Sequence, residues 1–351
     1  MAISKLLLKW YEKEGRDLPW RTSRDPYKIW VSEIILQQTR ITQGTRYYHK
    51  FTERFPDVKS LAGSDITTVL NIWQGLGYYS RARNMHEAAK TVMQDYGGTF
   101  PETYHELIRL KGIGEYTAGA IASIVRNEAV PAIDGNVIRV ISRLFSVYED
   151  PGRPSGKKKI KEILLNEMDP EAPGSFNQAL MDLGSMVCKP KNPLCEQCPL
   201  SALCISNQAG TVHELPVKYK KIKNRDRYFY YLLIQKEKEF LIKRRTGKDI
   251  WEMLFELPLI EKNTVLEHEN ILAEIRNRFF SGNENFTIRD ISSETRHILS
   301  HQVIHAFFIR ITADNFPTGQ NEELVIVNSS DIQHYPLPRL IEKYLQEISL
   351  L

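Results

Sequence analysis

Every cysteine in this 351-residue chain lies between Cys188 and Cys204, in the order C-x6-C-x2-C-x5-C: Cys188, Cys195, Cys198 and Cys204. Thiols gathered this tightly in a reducing compartment, where disulfides do not persist, are candidate metal ligands. A zinc site more often pairs two C-x2-C units across a longer gap, so this spacing departs from the zinc pattern. Two acids also stand in suggestive places. In "DPYKIWVSEIILQQTR" a helical reading sets Ile29, Trp30 and Leu36 beside Glu33, at i−4, i−3 and i+3. A carboxylate on an apolar stripe tends to hold its proton, which suits a general acid. The same pattern also fits a glutamate at the edge of the stripe that reaches water. Asp134, in "AIDGNVIRV", stands where a helix N-cap is expected and can cap while still presenting an oxygen to a substrate.

The elements that hold these residues follow from pattern. Residues 1 to about 215 read as nearly all helix, punctuated by Pro19, Pro26, Pro56, Pro101, Pro131, Pro151 and Pro170. Leu6, Leu7, Trp10 and Tyr11 read as one face of a first helix. A polar, basic stretch over 216–227 reads as a linker. Beyond it the pattern changes to strands in "RYFYYLLIQ", "EFLIKRR", "RHILSHQVIHAFFIRIT" and "EELVIV", with helices near 265–280 and 337–348. The chain is therefore expected to hold two domains, all-α over 1–215 and α+β over 228–351. A hydrophobic fraction of 42% supports globular cores, and no apolar run approaches the roughly 18 residues of a membrane span. A cytoplasmic location is expected. The net charge of +4 is modest, but it clusters at Lys157, Lys158, Lys159 and Lys161 and at Lys218, Lys220, Lys221, Lys223 and Arg225. Such runs serve either as solvated loops or as a polyanion footprint.

"LIRLKGIGEYTAGAIASIVRN", Leu107 to Asn127, places one helix end near Lys111, Gly112 in the left-handed position after it, and Gly114 before a new helix. Amides at that helix start make an anion site, or the segment is a tight turn between two packed helices.

Here the chain resembles a known family. "LKGIGEYTAGAIA" followed by "PAIDGNVIRVISRL" is similar to the helix-hairpin-helix and downstream aspartate of base-excision DNA glycosylases. The cysteine spacing resembles the iron–sulfur loop of the endonuclease III and MutY branch. The resemblance implies a 4Fe–4S cluster on the four cysteines, with Lys189 and Lys191 in its loop near phosphates. It divides the helical region into a six-helix barrel, about 22–130, and an iron–sulfur lobe from 1–21 and 131–215. "VSEIILQQT" resembles the MutY-type catalytic helix, making Glu33 the acid that protonates adenine. Asp134 would then steady the sugar cation, with Asn136 holding substrate or water. Tyr116 stands where bifunctional relatives carry an amine-bearing lysine, so a monofunctional enzyme is implied. Gln38, and Tyr78 in "WQGLGYYSRARNMHEAA", resemble residues that wedge into the duplex; by pattern alone Tyr78 also fits a core aromatic. Arg21 and Gln178 match positions lining an adenine pocket, with Trp20 beside them as packing or pocket. Gly112 and Gly114 belong to the phosphate-binding hairpin.

The C-terminal part resembles the Nudix-like domain of MutY proteins, through "KRRTGKDIWEMLFELPL". The box G-x5-E-x7-R-E-x2-E-E is missing, so a reading domain without pyrophosphate hydrolysis is expected. "HILSHQVIHAFF" is similar to a loop that contacts 8-oxoguanine, with Ser300 and His301 reading the base and Leu299 where the family's form has phenylalanine. His297 and His305 are expected in strand packing or on a solvated face. Together these imply a multidomain adenine glycosylase: all-α helix-hairpin-helix lobes, a 4Fe–4S loop and an α+β Nudix-like domain. Its partner would be double-stranded DNA with adenine opposite 8-oxoguanine or guanine, bound by a monomer at the nucleoid. The rival readings are a pyrimidine glycosylase with lyase activity and a non-catalytic iron–sulfur DNA-binding protein. Tyr116 argues against the first. The joint presence of Glu33 and Asp134 argues against the second, because binding alone needs neither.

Overall fold

The computed structural model describes residues 2–217, 225–280, 285–317 and 324–351. Most of the expected linker, with Lys218, Lys220, Lys221 and Lys223, lies outside the described residues. The chain separates into two compact units, Met1–Ser64 with Arg83–Lys220, and Asp65–Ala82 with Lys221–Leu351. Among the described residues no helix is long and apolar enough to cross a membrane.

The first unit is helical, and its helices begin where the chain supplies caps. Asp25 accepts from the amide of Tyr27 to open Pro26–Leu36, with Pro26 in the first turn. Prolines open Pro154–Glu167 and Pro173–Met186 in the same way. Asn127, left-handed at φ 53°, ends Glu115–Arg126. The first helix, Ala2–Glu14, buries Ile3 and Leu7 against Val137, Val140 and Ile141 of Gly135–Leu144 and against Phe176, Leu180 and Leu183 of Pro173–Met186. Leu6, read as part of that face, is instead 42% exposed. It sits about 100° round the helix from Leu7, and Ile3 takes its place on the buried stripe. Pro26–Leu36 is buried on almost every side, from Tyr27 to Ile35. The helix expected to reach Lys111 ends at Leu107, and turns carry the chain on to Gly112.

The second unit contains an eight-stranded mixed sheet. Its strands are β1 (Arg225–Lys236), β2 (Glu239–Arg244), β3 (Phe255–Glu256), β4 (Leu259–Lys262), β5 (Phe286–Ile291), β6 (Thr295–Ile298), β7 (Gln302–Ala313) and β8 (Leu324–Asn328). β1 and β7 pair in parallel at the centre, and the remaining pairings are antiparallel. Period-two alternation in β1 feeds two cores. Phe229, Tyr231 and Leu233 pack with Leu340, Ile341 and Tyr344 of the helix Arg339–Glu347. Tyr230, Leu232 and Ile234 pack with Ile271, Ile275 and Phe279 of the helix His268–Phe279. The sheet is thus a layer between two helices, as an α+β reading requires. The sequence "RHILSHQVIHAFFIRIT" divides into β6 and β7, and Leu299, Ser300 and His301 form the turn between them.

Candidate active site

Glu33 lies on the central buried helix and is 8% exposed. Its Oε2 accepts a hydrogen bond from the Tyr116 hydroxyl at 2.6 Å. Burial pushes the Glu33 carboxyl up to about 6; the Tyr116 bond and Arg21 pull the other way, and Asp134 adds to the rise. The carboxyl therefore holds a proton through mildly acidic conditions, which resolves the two sequence readings in favour of burial. The same hydroxyl lies 3.3 Å from Sδ of Met181. Burial and the charge of Glu33 raise the Tyr116 phenol far above its ordinary value, so it acts as a donor.

Glu33 and Tyr116 face a cavity of about 70 Å³ whose lining includes Trp20, Arg21, Gln178 and Met181. Trp20 both lines it and packs edge-on against Tyr48, so it serves in both capacities. Gln178 Oε1 accepts from the Tyr11 hydroxyl at 2.9 Å. Arg21 is held from behind by Asp182, through Nη1 at 2.7 Å and Nη2 at 2.8 Å.

Asp134 caps the helix Gly135–Leu144. Its Oδ1 accepts from the amides of Asn136 and Val137 at 2.9 and 2.8 Å. Its Oδ2 accepts from the Asn136 side chain at 2.7 Å. Burial raises its pKa against these bonds, leaving a half-buried acid above its ordinary value. Arg139 then donates to Asn136 Oδ1 at 2.8 Å and to the Cys188 carbonyl at 2.7 Å. Arg143, one turn on, donates to the carbonyls of Lys189 and Leu215 and to Sγ of Cys188 at 3.4 Å.

The four cysteines are unpaired and line one cavity with Arg143 and Leu194. Among the described residues no group of His, Cys, Asp or Glu is placed to hold a single metal ion. The four thiols share one cavity, the kind of ligand set that holds iron–sulfur clusters. Burial pushes the Cys198 thiol up to about 11 and raises Cys195 and Cys204; these cysteines would hold a cluster as thiolates. Donor type, donor number and cavity fit a 4Fe–4S cluster. Lys189 is half-buried in that loop and Lys191 is exposed.

In the hairpin, Gly112 has φ +82°, and an added Cβ would meet Asn84 at 2.7 Å. Gly114 caps Glu115–Arg126, and a Cβ there would meet nothing within 4 Å. Packing explains the first glycine; the second leaves its backbone open to an outside group. Ala118, Gly119, Ala120 and Ala122 let the following helix pack closely, since a Cβ on Gly119 would lie 2.8 Å from the Pro131 carbonyl. Lys111 pairs with Glu87 and points to no site. Gln38, exposed, takes φ +57° immediately after the Glu33 helix. Lys157, Lys158, Lys159 and Lys161 are exposed on Pro154–Glu167.

In the second unit Tyr78 also has positive φ, +49°, following Gly75 and Gly77 in the left-handed region. It is 48% exposed, not core. Arg81 lies over its ring, and its hydroxyl is 2.9 Å from Ser300 Oγ. Strained backbone at an exposed aromatic is a mark of use. Ser300 and His301 are exposed, whereas Leu299 packs half-buried against the core and its neighbour Ile298 is 70% exposed. His297 meets Trp251 edge-on. His305 stacks on Tyr228 and sits between Glu294 and Asp226 at 2.8 and 2.9 Å, which raises its pKa. Sequence reasoning missed Tyr11, Arg16, Asp182, Arg139 and Arg143. The i,i+4 spacings Gln178–Asp182 and Arg139–Arg143 were the available signals.

Helix-hairpin-helix, buried acid, capped aspartate and cysteine loop together define an iron–sulfur base-excision DNA glycosylase. Residues 31–167 match the HhH-GPD superfamily of base excision DNA repair proteins, 188–204 the iron–sulfur binding domain of endonuclease III, and 229–347 the NUDIX domain. A thermostable thymine-DNA glycosylase superposes with TM-score 0.55 at 28% identity, over 59% of this chain and 96% of its own. An endonuclease III in complex with DNA shares the fold, with TM-score 0.52 at 20% identity over 60% and 95%. The adenine DNA glycosylase of Buchnera aphidicola from Acyrthosiphon pisum is 34% identical over 98% of this chain and 97% of its own. The Homo sapiens adenine DNA glycosylase is 42% identical over 59% of this chain and 40% of its own. The chain belongs to the adenine DNA glycosylase family, and it carries a 4Fe–4S cluster.

Proposed function

We propose that this enzyme removes adenine paired with 8-oxoguanine, and less efficiently with guanine, leaving an abasic site without cutting the strand. The observation that carries the reading is the buried Glu33 carboxyl, raised to about 6 and facing a cavity lined by Tyr116 and by no lysine among the described residues. Adenine leaves its sugar poorly unless its ring is protonated. Extruded adenine enters the cavity, and Glu33 gives its proton to a ring nitrogen. The bond from C1′ to the base then breaks, its electron pair leaves with the base, and the sugar becomes cationic. Asp134, held by Asn136 and the helix start, stabilises that cation. Water adds to C1′, and its proton returns to Glu33. Arg21 and Gln178 line the base pocket, and the Gly112–Gly114 hairpin with Lys189 and Lys191 grips phosphates.

The C-terminal unit reads the oxidised base through Ser300 and His301, while Tyr78 and Gln38 wedge the duplex. The left-handed, exposed placement of both wedge residues supports this assignment. Leu299 supports the reader turn by packing beneath it rather than entering DNA. The protein acts as a monomer, in the cytoplasm, on the nucleoid.

A single-turnover assay on a duplex with adenine opposite 8-oxoguanine tests this. Strand breaks only after alkali are expected; breaks without alkali mean an intrinsic lyase and remove the role given to Tyr116. Substitution Ser300→Ala is expected to narrow the rate ratio between 8-oxoguanine and guanine partners, and an unchanged ratio removes Ser300 as reader.

A further inference from the structure

Asp182 takes no part in the chemistry above, yet it is completely buried on the helix that carries Gln178. It is the hub of the base pocket's back wall. Its Oδ1 accepts from Arg16 Nε at 2.9 Å and Arg21 Nη2 at 2.8 Å, and also from Arg16 Nη2. Its Oδ2 accepts from the Arg16 amide at 3.0 Å and Arg21 Nη1 at 2.7 Å. Arg21 Nη1 also reaches the Arg16 carbonyl at 2.9 Å. Asp182 is fully buried while Arg16 and Arg21 keep 27% and 14% of their side chains exposed, and such a pairing is a poor source of stability, because the cost of desolvating the carboxylate offsets most of what the attraction returns. Stability alone therefore does not account for it.

The wall stands beside the acid. Arg16, Arg21 and Glu33 line the same cavity. The groups that face Glu33 are Tyr116 from the helix Glu115–Arg126, Asp134 from the cap of Gly135–Leu144, and Arg21 from the turn Pro19–Arg21. Those facing Asp182 are Arg16 and Arg21, with Tyr11 coupled to the same trio. An uncompensated guanidinium at the cavity wall favours the ionised form of Glu33, and an ionised Glu33 has no proton to give.

We propose that Asp182 is a positioning residue for base removal: it pins Arg21 against the pocket wall and offsets its charge, so that Glu33 keeps its proton while Arg21 remains available to the extruded base. This rests on Glu33 being the acid. Burial opposes ionisation of Asp182, but bonds from Arg21 and Arg16 outweigh it and hold the carboxyl below its ordinary value, so the offsetting charge is permanent.

The test is the pH profile of single-turnover adenine release by the cluster-bearing full chain, for wild type, Asp182→Asn and Arg21→Met. The wild-type rate should fall on the alkaline side as Glu33 ionises. Asp182→Asn keeps shape and loses charge; its alkaline limb should move toward acid by about one unit, a rate loss of about tenfold beyond the limb. Arg21→Met removes the cation, and its limb should move toward alkali. A purely structural role lowers the rate at all pH and moves neither limb; unmoved limbs overturn the proposal. If Asp182→Asn does not fold, judged by its visible cluster absorbance, Arg21→Met alone decides. A wild-type profile with no alkaline limb, or full turnover by Glu33→Gln, removes the acid reading itself, an outcome distinct from limbs that are present and unmoved.

Discussion

The hydrogen bond from Tyr116 to Glu33 leads to a result that runs against intuition. Tyr116→Phe deletes a donor that favours the ionised carboxylate. The bond is 2.6 Å long and ends on a side chain that is 8% exposed. Bonds of this charge-assisted, buried kind are worth about 1.5–3 kcal/mol. Since about 1.4 kcal/mol corresponds to one pKa unit, the loss raises Glu33 by at least about one unit. Glu33 starts at about 6, so at pH 8 the wild type is mostly ionised while the variant retains roughly tenfold more of the protonated acid. The ratio of variant to wild-type single-turnover rate constants should therefore climb about tenfold between pH 5 and pH 8, whatever the plateau rates are. Rapid-quench measurements at several pH values give this ratio directly. A ratio that is flat with pH would refute the role of Tyr116 in setting the proton affinity of Glu33, and a falling ratio would reverse it.

Three further outcomes are expected. Asp134→Asn should retain thermal stability within about 0.5 kcal/mol, because asparagine caps helices as well as aspartate, while adenine release falls by at least about a hundredfold; thermal melts and single-turnover rates separate the two. Gly112→Ala should cost about 1 kcal/mol or more of stability and weaken DNA binding, because alanine is strained at φ +82° and its Cβ would crowd Asn84; denaturant melts and fluorescence anisotropy read each effect. The His305 pKa is raised by Asp226 and Glu294, so its stabilising contribution is complete below its unfolded value and is lost as pH rises through the folded one. The stability gap between wild type and His305→Gln should accordingly shrink from pH 6 to pH 9 in urea melts.

Much of the site was legible because its residues are locally marked. Glu33 sits on an apolar stripe, Asp134 precedes a helix, Gly112 punctuates a turn, and the cysteines all lie between Cys188 and Cys204. Each is a short-range pattern whose cause lies within one turn or one loop. Arg16 carries no such mark and Asp182 only its i,i+4 spacing from Gln178, since their meaning arises only when positions 166 apart come together. Leu6 was misread because a helical stripe read one residue too broadly includes its solvent-facing neighbour. The short strands Phe255–Glu256 and Leu259–Lys262 escaped because they hold too few residues to show alternation.

The return of the first helix onto Pro173–Met186 has a consequence for biosynthesis. Tyr11 meets Gln178, and Arg21 meets Asp182, across 167 and 161 positions of chain. At about 5–20 residues per second the ribosome needs on the order of ten seconds or more to deliver the second partner after the first. Through that interval Ile3 and Leu7 have no partner from Pro173–Met186 to cover them. The apolar face of the nascent first helix thus waits for its cover, and the cavity beside Glu33 gains Gln178 and Met181 only late in translation.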